Sequence, residues 1–175
     1  SPAADMKDRT RIIAAAAMLA ALQLALLYIG TLMPGWKLAS AAVAGIMTAA
    51  VLIECGMLRA VLAYVAVSVL SFLLLPQKTL ALLYIVFFGY YPLIKSVTEH
   101  VRSRALEWLC KLIVFNFACA LSFAALRFGF VADVTLPGIP VAVIWLLLNA
   151  AFVVFDLGLS KLIALYLQRI HKNIK

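Results

Sequence analysis

Six long apolar stretches constrain the fold of this chain more than any other feature. Apolar and aromatic residues make up 67% of the 175 residues, only 13% are charged, and the mean hydropathy is +1.12. A water-soluble domain of this length could not bury so much apolar surface. A helix needs ~20 apolar residues to cross a bilayer core ~30 Å thick, so the chain has room for about six crossings. We therefore predict an all-α integral membrane protein, with six transmembrane helices in a compact bundle.

The apolar stretches are separated by short segments that carry proline, glycine or charge, as connections between helices do. The predicted spans cover residues 12–32, 38–53, 58–75, 79–93, 108–128 and 139–164. Residues 1–5 precede Met6, which resembles a native start, and we interpret them as an expression remnant. Residues 6–175 are then expected to form a single transmembrane domain.

Basic residues are distributed unevenly over the two sides of the predicted membrane. With the amino terminus in the cytoplasm, twelve of the fifteen Lys and Arg residues fall on the inner side, and only Lys37, Lys78 and Arg127 on the outer side. Because cytoplasmic loops are enriched in basic residues, we expect both chain ends in the cytoplasm. The net charge of +8 is then a signal of topology and of contact with anionic lipid, and it does not indicate a nucleic-acid partner.

The first helix carries many alanines at a spacing of four residues. Ala16 with Ala20 and Ala17 with Ala21 form pairs on shared faces, and small side chains let another helix approach closely. This surface can pack inside the bundle or be available to a separate membrane subunit.

Two amides lie near the middle of the last two predicted spans. Asn116 and Asn149 are each about half a span from their helix ends, and polar groups at this depth need a partner. They can hydrogen-bond to each other, or they can form the floor of a solute cavity that opens outward.

Rings and polar groups are concentrated toward the outer surface, where a solute would enter. A small-molecule site needs an apolar wall with a few placed hydrogen-bonding groups, although the two tryptophans are equally well explained as interfacial anchors. Together with the two amides, the candidate substrate-binding residues are Trp36, Lys78, Tyr84, Asn116, Arg127, Trp145 and Asn149.

No catalytic or metal-binding motif is present in the sequence. A nucleotide-binding glycine-rich loop, a zinc-protease motif and a nucleophile elbow are all absent, so we expect no enzymatic activity, no cofactor and no metal site. Gly89 and Pro92 in the fourth span predict a kink or an early helix end there, because proline cannot donate a backbone hydrogen bond.

The chain resembles the substrate-binding S components of energy-coupling factor (ECF) micronutrient transporters. The resemblance rests on the length, the six spans, the cytoplasmic ends and the alanine-rich stretch Arg11–Leu22, together with the segment Tyr84–Lys95. In that family the alanine stripe of the first helix packs on a membrane coupling subunit, which two ATPase subunits drive. The resemblance thus implies that Ala16, Ala17, Ala20 and Ala21 form the coupling surface.

The resemblance also implies a location and a substrate class. Such a protein lies in the bacterial cytoplasmic membrane and captures a vitamin or other micronutrient from the outer side, using its outer loops and helices four to six. The metal-binding branch of the family uses an amino-terminal histidine, which this chain lacks. The alternative is a non-enzymatic scaffold subunit of a cell-envelope complex, similar to the MreD group, in which the amides and alanines only pack helices together.

Overall fold

The computed structural model of the protein describes residues 2–33, 35–99, 103–127 and 140–172, and most of these are helical. The chain divides into two units, Ser1–Val134 and Thr135–Lys175. The first unit contains the helices α1 (Pro2–Leu32), α2 (Lys37–Cys55), α3 (Met57–Leu74), α4 (Lys78–Leu83), α5 (Tyr91–Thr98) and α6 (Arg104–Arg127), and the second contains α7 (Val141–Lys172). Five residues between α4 and α5, Tyr84–Phe88, form a π-helix that we call the π turn.

In the part of the chain that the structure describes, six helical segments are long and apolar enough to cross a membrane, which confirms the predicted all-α chain with six such segments. They cover Asp8–Leu32, Lys37–Cys55, Met57–Leu74, Lys78–Thr98, Arg104–Ala124 and Ala142–Gln168. Many large apolar side chains are exposed on their surfaces, among them Leu62 at 61% and Phe117 at 70%. Apolar exposure on this scale suits a surface that faces lipid, where helices need not hide their hydrocarbon side chains.

Several helices extend beyond the apolar stretches that predicted them. The fifth span begins at Arg104 and not at residue 108, and α7 continues to Lys172 where the apolar pattern ends at 164. Hydropathy marks the part of a helix that can lie in lipid, whereas the backbone hydrogen bonds continue into the polar flanks.

The first three helices pack against one another through small residues. α1 lies against α2 and α3, and α2 also contacts α3, the π turn and α5. Ala41, Gly45 and Ala49 recur every four residues on α2 and are all buried, as their spacing predicts for residues on one packed face. Gly56 alone connects α2 to α3, at a φ of 84° that other residues rarely adopt.

The fourth span is discontinuous, as Gly89 and Pro92 predicted. Its first half consists of α4 and the π turn, in which the Gly89 amide donates to the Tyr84 carbonyl at 2.6 Å. The chain bends at Gly89 and Tyr90, and α5 starts with Pro92 in its first turn, where a missing N–H is tolerated.

Two apolar clusters form the core of the first unit. The first cluster includes Leu27 of α1, Ala44 of α2, Val67 of α3 and Leu80 of α4. A second cluster, which includes Ala16 of α1, Val51 of α2, Ala63 of α3 and Leu93 of α5, lies toward the other ends of the same helices. The bend in the fourth span therefore falls between the part that packs in the first cluster and the part that packs in the second.

Candidate functional site

Three polar side chains meet between the two apolar clusters. Gln23 of α1, Thr48 of α2 and Tyr84 of the π turn are each no more than 1% exposed, and we call them the polar seam. On α2, Thr48 lies one turn after Ala44 of the first cluster and one turn before Val51 of the second. The polar seam thus lies at the boundary of the two clusters.

Hydrogen bonds link the three side chains of the polar seam. The Tyr84 hydroxyl donates to Gln23 Oε1 at 2.9 Å and lies 3.3 Å from Thr48 Oγ1. Thr48 Oγ1 also donates to the carbonyl of Ala44 at 3.3 Å. The three spans that contribute these side chains are therefore connected by polar contacts inside an apolar core.

One donor of the polar seam lacks a partner. Among the residues that the structure describes, buried Gln23 Nε2 has no hydrogen-bond acceptor, while the Oε1 atom of the same amide accepts from Tyr84. A buried polar group left unpaired destabilises a fold by about 1–3 kcal/mol. Such a group needs a specific explanation, because most buried polar atoms are paired.

The π turn directs Tyr84 into this region and is itself held by a tyrosine of α3. The Tyr64 hydroxyl donates to the carbonyl of Ile85 at 2.9 Å, and the rings of Tyr64 and Tyr84 lie 6.1 Å apart. Single π-helical turns inside α-helices occur frequently at functional sites. The local departure from α-helical geometry thus coincides with the polar seam.

Two glycines allow the π turn to pack this closely. A Cβ atom on Gly45 would lie 2.6 Å from the carbonyl oxygen of Phe88, and one on Gly89 would lie 2.8 Å from the rings of Tyr64 and Tyr84. Real Cβ atoms do not make contacts this short. Both positions therefore require glycine for the observed approach of α2, α3 and the fourth span.

The predicted outer residues of the first unit do not all lie together. Tyr84 is fully buried and bonds to Gln23, whereas Trp36 precedes α2 and is 62% exposed. Lys78 bonds through Nζ to the carbonyls of Phe72 and Leu75, which places its charge at the end of α3. Of these three predictions, only Tyr84 belongs to the polar seam.

The two predicted mid-span amides each bond to their own helix. Asn116 Nδ2 donates to the Leu112 carbonyl at 2.8 Å, and Asn149 Nδ2 donates to the Trp145 carbonyl at 2.9 Å. Arg127 is the last residue of α6. Because Asn116 belongs to the first unit and Asn149 to the second, their predicted pairing and the solute cavity that they are predicted to floor both stay predictions.

The four alanines of the predicted coupling surface divide into two pairs. Ala16 is 8% exposed and belongs to the second cluster, and Ala20 packs against both clusters. Ala17 and Ala21, by contrast, lie on the exposed side of α1. Within the first unit, Ala17 and Ala21 therefore remain accessible to another helix.

Two buried lysines lie near the ends of the fourth and fifth spans, and each is paired one helical turn away. Lys95 is 2% exposed and lies 3.1 Å from Glu99, and Lys111, also 2% exposed, lies 2.5 Å from Glu107. Each buried charge is thus neutralised by a carboxylate of its own helix. In the part of the chain that the structure describes, no three His, Cys, Asp or Glu side chains form a group that could hold a metal ion.

Sequence reasoning missed two members of the polar seam. Gln23 is an amide inside an otherwise apolar run of α1, and this alone marks it as a residue that needs a partner in the membrane. Thr48 gives a weaker signal, because threonine can bond to its own helix.

Comparison of the chain with known protein families, with curated proteins and with solved structures finds no match.

Proposed function

We propose that this chain is the solute-binding subunit of an ECF-type uptake transporter in the bacterial cytoplasmic membrane. It captures a small nutrient from the outer side and transfers it with the help of a membrane coupling subunit and two ATPase subunits. The observation that carries the proposal is the discontinuous fourth span, whose π turn places Tyr84 against Gln23 and Thr48. Broken helices with polar groups near the membrane midplane are typical of transporter binding sites.

The position of the break supports this proposal. The first half of the fourth span, α4 with the π turn, is about 15 Å long and α5 about 12 Å, at close to 1.5 Å per residue. Since a bilayer core is ~30 Å thick, the bend at Gly89 and Tyr90 falls near its middle. A break is unfavourable at this depth because it interrupts backbone hydrogen bonding, and it is tolerated where protein or a cavity surrounds it.

The proposed orientation places both chain ends in the cytoplasm. It rests on the excess of basic residues in the segments assigned to the inner side. In this orientation the connections before Lys37 and before Lys78 face outward, and a solute enters from their side of the bundle.

The proposed coupling surface consists of the exposed half of the alanine stripe. Ala17 and Ala21 face away from the packed core of the first unit, and a second helix can approach α1 closely there. Ala16 and Ala20 support this surface from behind through their contacts with the two clusters.

One observation favours the alternative, a scaffold subunit resembling the MreD group. The polar seam is fully shielded, and the close approach of Gly45 to Phe88 leaves no space between α2 and the π turn. A scaffold would use such packing only to hold the helices together. The proposed transporter subunit must open this region, whereas a scaffold keeps it closed.

Native mass spectrometry of gently purified protein separates the two functions. A solute-binding subunit should carry a small molecule that is released on unfolding. Preparations that repeatedly carry no small molecule and retain no coupling subunit would reject transport in favour of the scaffold.

Substitution by tryptophan tests the coupling surface. Ala17→Trp and Ala21→Trp should prevent co-purification of the coupling subunit while the chain still folds, because both positions are exposed. Leu62→Trp, at an exposed position of α3, is the matched control and should leave the complex intact. Equal complex formation by all three variants would place the coupling surface elsewhere.

A further inference from the structure

We infer that Gln23 Nε2 is the donor that binds a hydrogen-bond acceptor of the solute, and that this solute is uncharged. The inference rests on the proposed function and assigns the polar seam as the place where the solute is recognised. Gln23 is 0% exposed, and its Nε2 atom has no acceptor within the described protein. A hydrogen-bond acceptor on a bound solute would give Nε2 its missing partner.

The amide is held in a defined orientation. The Tyr84 hydroxyl donates to Gln23 Oε1 at 2.9 Å and lies 3.3 Å from Thr48 Oγ1. Oε1 thus already accepts a hydrogen bond, and Nε2 is the polar atom of this amide that has no partner among the described residues. Tyr84 and Thr48 act as positioning residues, because they fix the amide.

A single water molecule is a poorer occupant than a solute. A buried water needs two to four polar partners. The Tyr84 hydrogen is committed to Gln23, and Thr48 Oγ1 donates to the Ala44 carbonyl. A water beside Nε2 would find few further groups to bond, whereas a solute brings its own apolar surface to the surrounding core.

The surroundings of the polar seam determine the charge of the solute. No Asp, Glu, Lys or Arg occurs within five residues of Gln23, Thr48 or Tyr84 along the chain, so no charge lies within one helical turn of the polar seam on its own helices. An ion placed here would lose its hydration without gaining a counter-charge, which is unfavourable. The site therefore fits a neutral molecule with a carbonyl, hydroxyl or ring-nitrogen acceptor.

A solute can reach Gln23 Nε2 only if part of the bundle moves, and the fourth span is already divided into two halves. The first half packs in the first cluster through Leu80 and Tyr84, and the second half packs in the second cluster through Leu93. Displacement of the first half about the bend at Gly89 and Tyr90 would uncover Nε2 without disturbing α5.

Extraction of bound small molecules from the full chain and from two variants tests the inference. Gln23→Met removes the amide at nearly constant size, and Gln77→Met removes a second glutamine, whose amide bonds to the Thr31 carbonyl away from the polar seam. We expect a neutral molecule in the wild type, about tenfold lower affinity in Gln23→Met, and unchanged affinity in Gln77→Met. The thermal stability of unliganded Gln23→Met should equal or exceed that of the wild type, because an unpaired buried donor is removed and the Tyr84 hydroxyl can donate to Thr48 Oγ1 in place of Gln23 Oε1. A large loss of stability would indicate a structural role for Gln23 and overturn the inference.

The outcomes separate this inference from the proposed function. A co-purifying molecule that Gln23→Met retains at wild-type affinity, or one that is charged, would overturn the inference and leave transport intact.

If no molecule co-purifies and no coupling subunit is retained, the transport proposal fails and the donor site is tested directly. The chain has three glutamines, Gln23, Gln77 and Gln168, so selective ¹⁵N labelling of the side-chain amides gives three pairs of signals, one pair for each glutamine. Dimethyl sulfoxide is a neutral hydrogen-bond acceptor without a donor. As its concentration rises, the chemical shift of the Gln23 amide should change and reach a plateau, whereas the shifts of Gln77 and Gln168 should reach none. Acetate should produce no such plateau for any of the three glutamines. Absence of a saturable shift at Gln23, or an equal response to acetate, would overturn the donor site.

Discussion

Replacement of Gly45 with alanine tests how closely α2 must approach the π turn. A Cβ atom at this position would lie 2.6 Å from the Phe88 carbonyl oxygen and 2.9 Å from Phe88 Cβ. The nearest atom belongs to the backbone, so it cannot move aside by a simple change of rotamer. Because an ordinary contact begins at 3.4 Å, α2 and the π turn would have to separate by about 0.8 Å.

The expected loss of stability has two parts. Overpacking of a well-filled core costs about 1–3 kcal/mol. The separation would also lengthen the contact between Thr48 Oγ1 and the Tyr84 hydroxyl, now 3.3 Å, beyond hydrogen-bonding distance. The loss of this bond adds about 1 kcal/mol. We therefore expect Gly45→Ala to lower the free energy of unfolding by about 2–4 kcal/mol.

Two further glycine variants make the measurement specific. A Cβ on Gly89 would meet the rings of Tyr64 and Tyr84, which can pivot, so Gly89→Ala should be less harmful than Gly45→Ala. Among the described residues, no atom lies within 4 Å of a Cβ added to Gly158 of α7. Gly158→Ala should therefore be neutral or stabilising by up to ~1 kcal/mol, because alanine favours helix.

Reversible unfolding in mixed micelles of increasing SDS content, followed by circular dichroism, measures all three variants. The reasoning would be refuted if Gly45→Ala unfolded at the same SDS fraction as the wild type, since the helices could then not lie as close as the structure places them. An equal loss in Gly158→Ala would show that the effect comes from glycine replacement in general.

Three other predictions concern hydrogen bonding, charge and topology. Tyr84→Phe should destabilise the protein by about 1–3 kcal/mol, because both polar side-chain atoms of Gln23 would then lack a partner among the described residues. An unchanged SDS midpoint would argue against the hydrogen bond from the Tyr84 hydroxyl to Gln23 Oε1. Glu107→Gln should cost about 1–3 kcal/mol by weakening the pair with buried Lys111, and a loss that disappears at high salt would contradict the buried position of this lysine. In a chain without its native cysteines, a membrane-impermeant thiol reagent applied to whole cells should label a cysteine at Met33 but not one at Glu99, and the reverse pattern would invert the proposed orientation.

Sequence alone predicted the spans because crossing a bilayer imposes a length and a composition. The break in the fourth span was also predictable, since Pro92 cannot continue a helical hydrogen-bond ladder. The π turn before it was not predictable, because it depends on contacts between distant positions. The approach of Gly45 to Phe88 and the bond from Tyr64 to Ile85 are established only after α2, α3 and the fourth span have packed.

One member of the polar seam was singled out from the sequence. Tyr84 was identified from its place near the outer end of the fourth span, but its partners Gln23 and Thr48 lie 61 and 36 residues away in sequence. Helical spacing likewise showed that Ala16 and Ala17 belong to different pairs on α1. It could not determine which pair packs inside, because this depends on the position of neighbouring helices.

The arrangement of the core implies where a movement could occur. Each of the first three helices crosses the boundary between the two apolar clusters without interruption, so these helices connect the clusters rigidly. The fourth span changes direction at the boundary, and its two halves are stabilised by separate sets of apolar contacts. Release of the first half would forfeit the packing of Leu80 and Tyr84 but would leave Leu93 in place. If the proposed solute binding is correct, the unpaired donor of Gln23 would weaken the closed arrangement at the boundary where the fourth span changes direction, and an acceptor that enters there would supply the missing hydrogen bond.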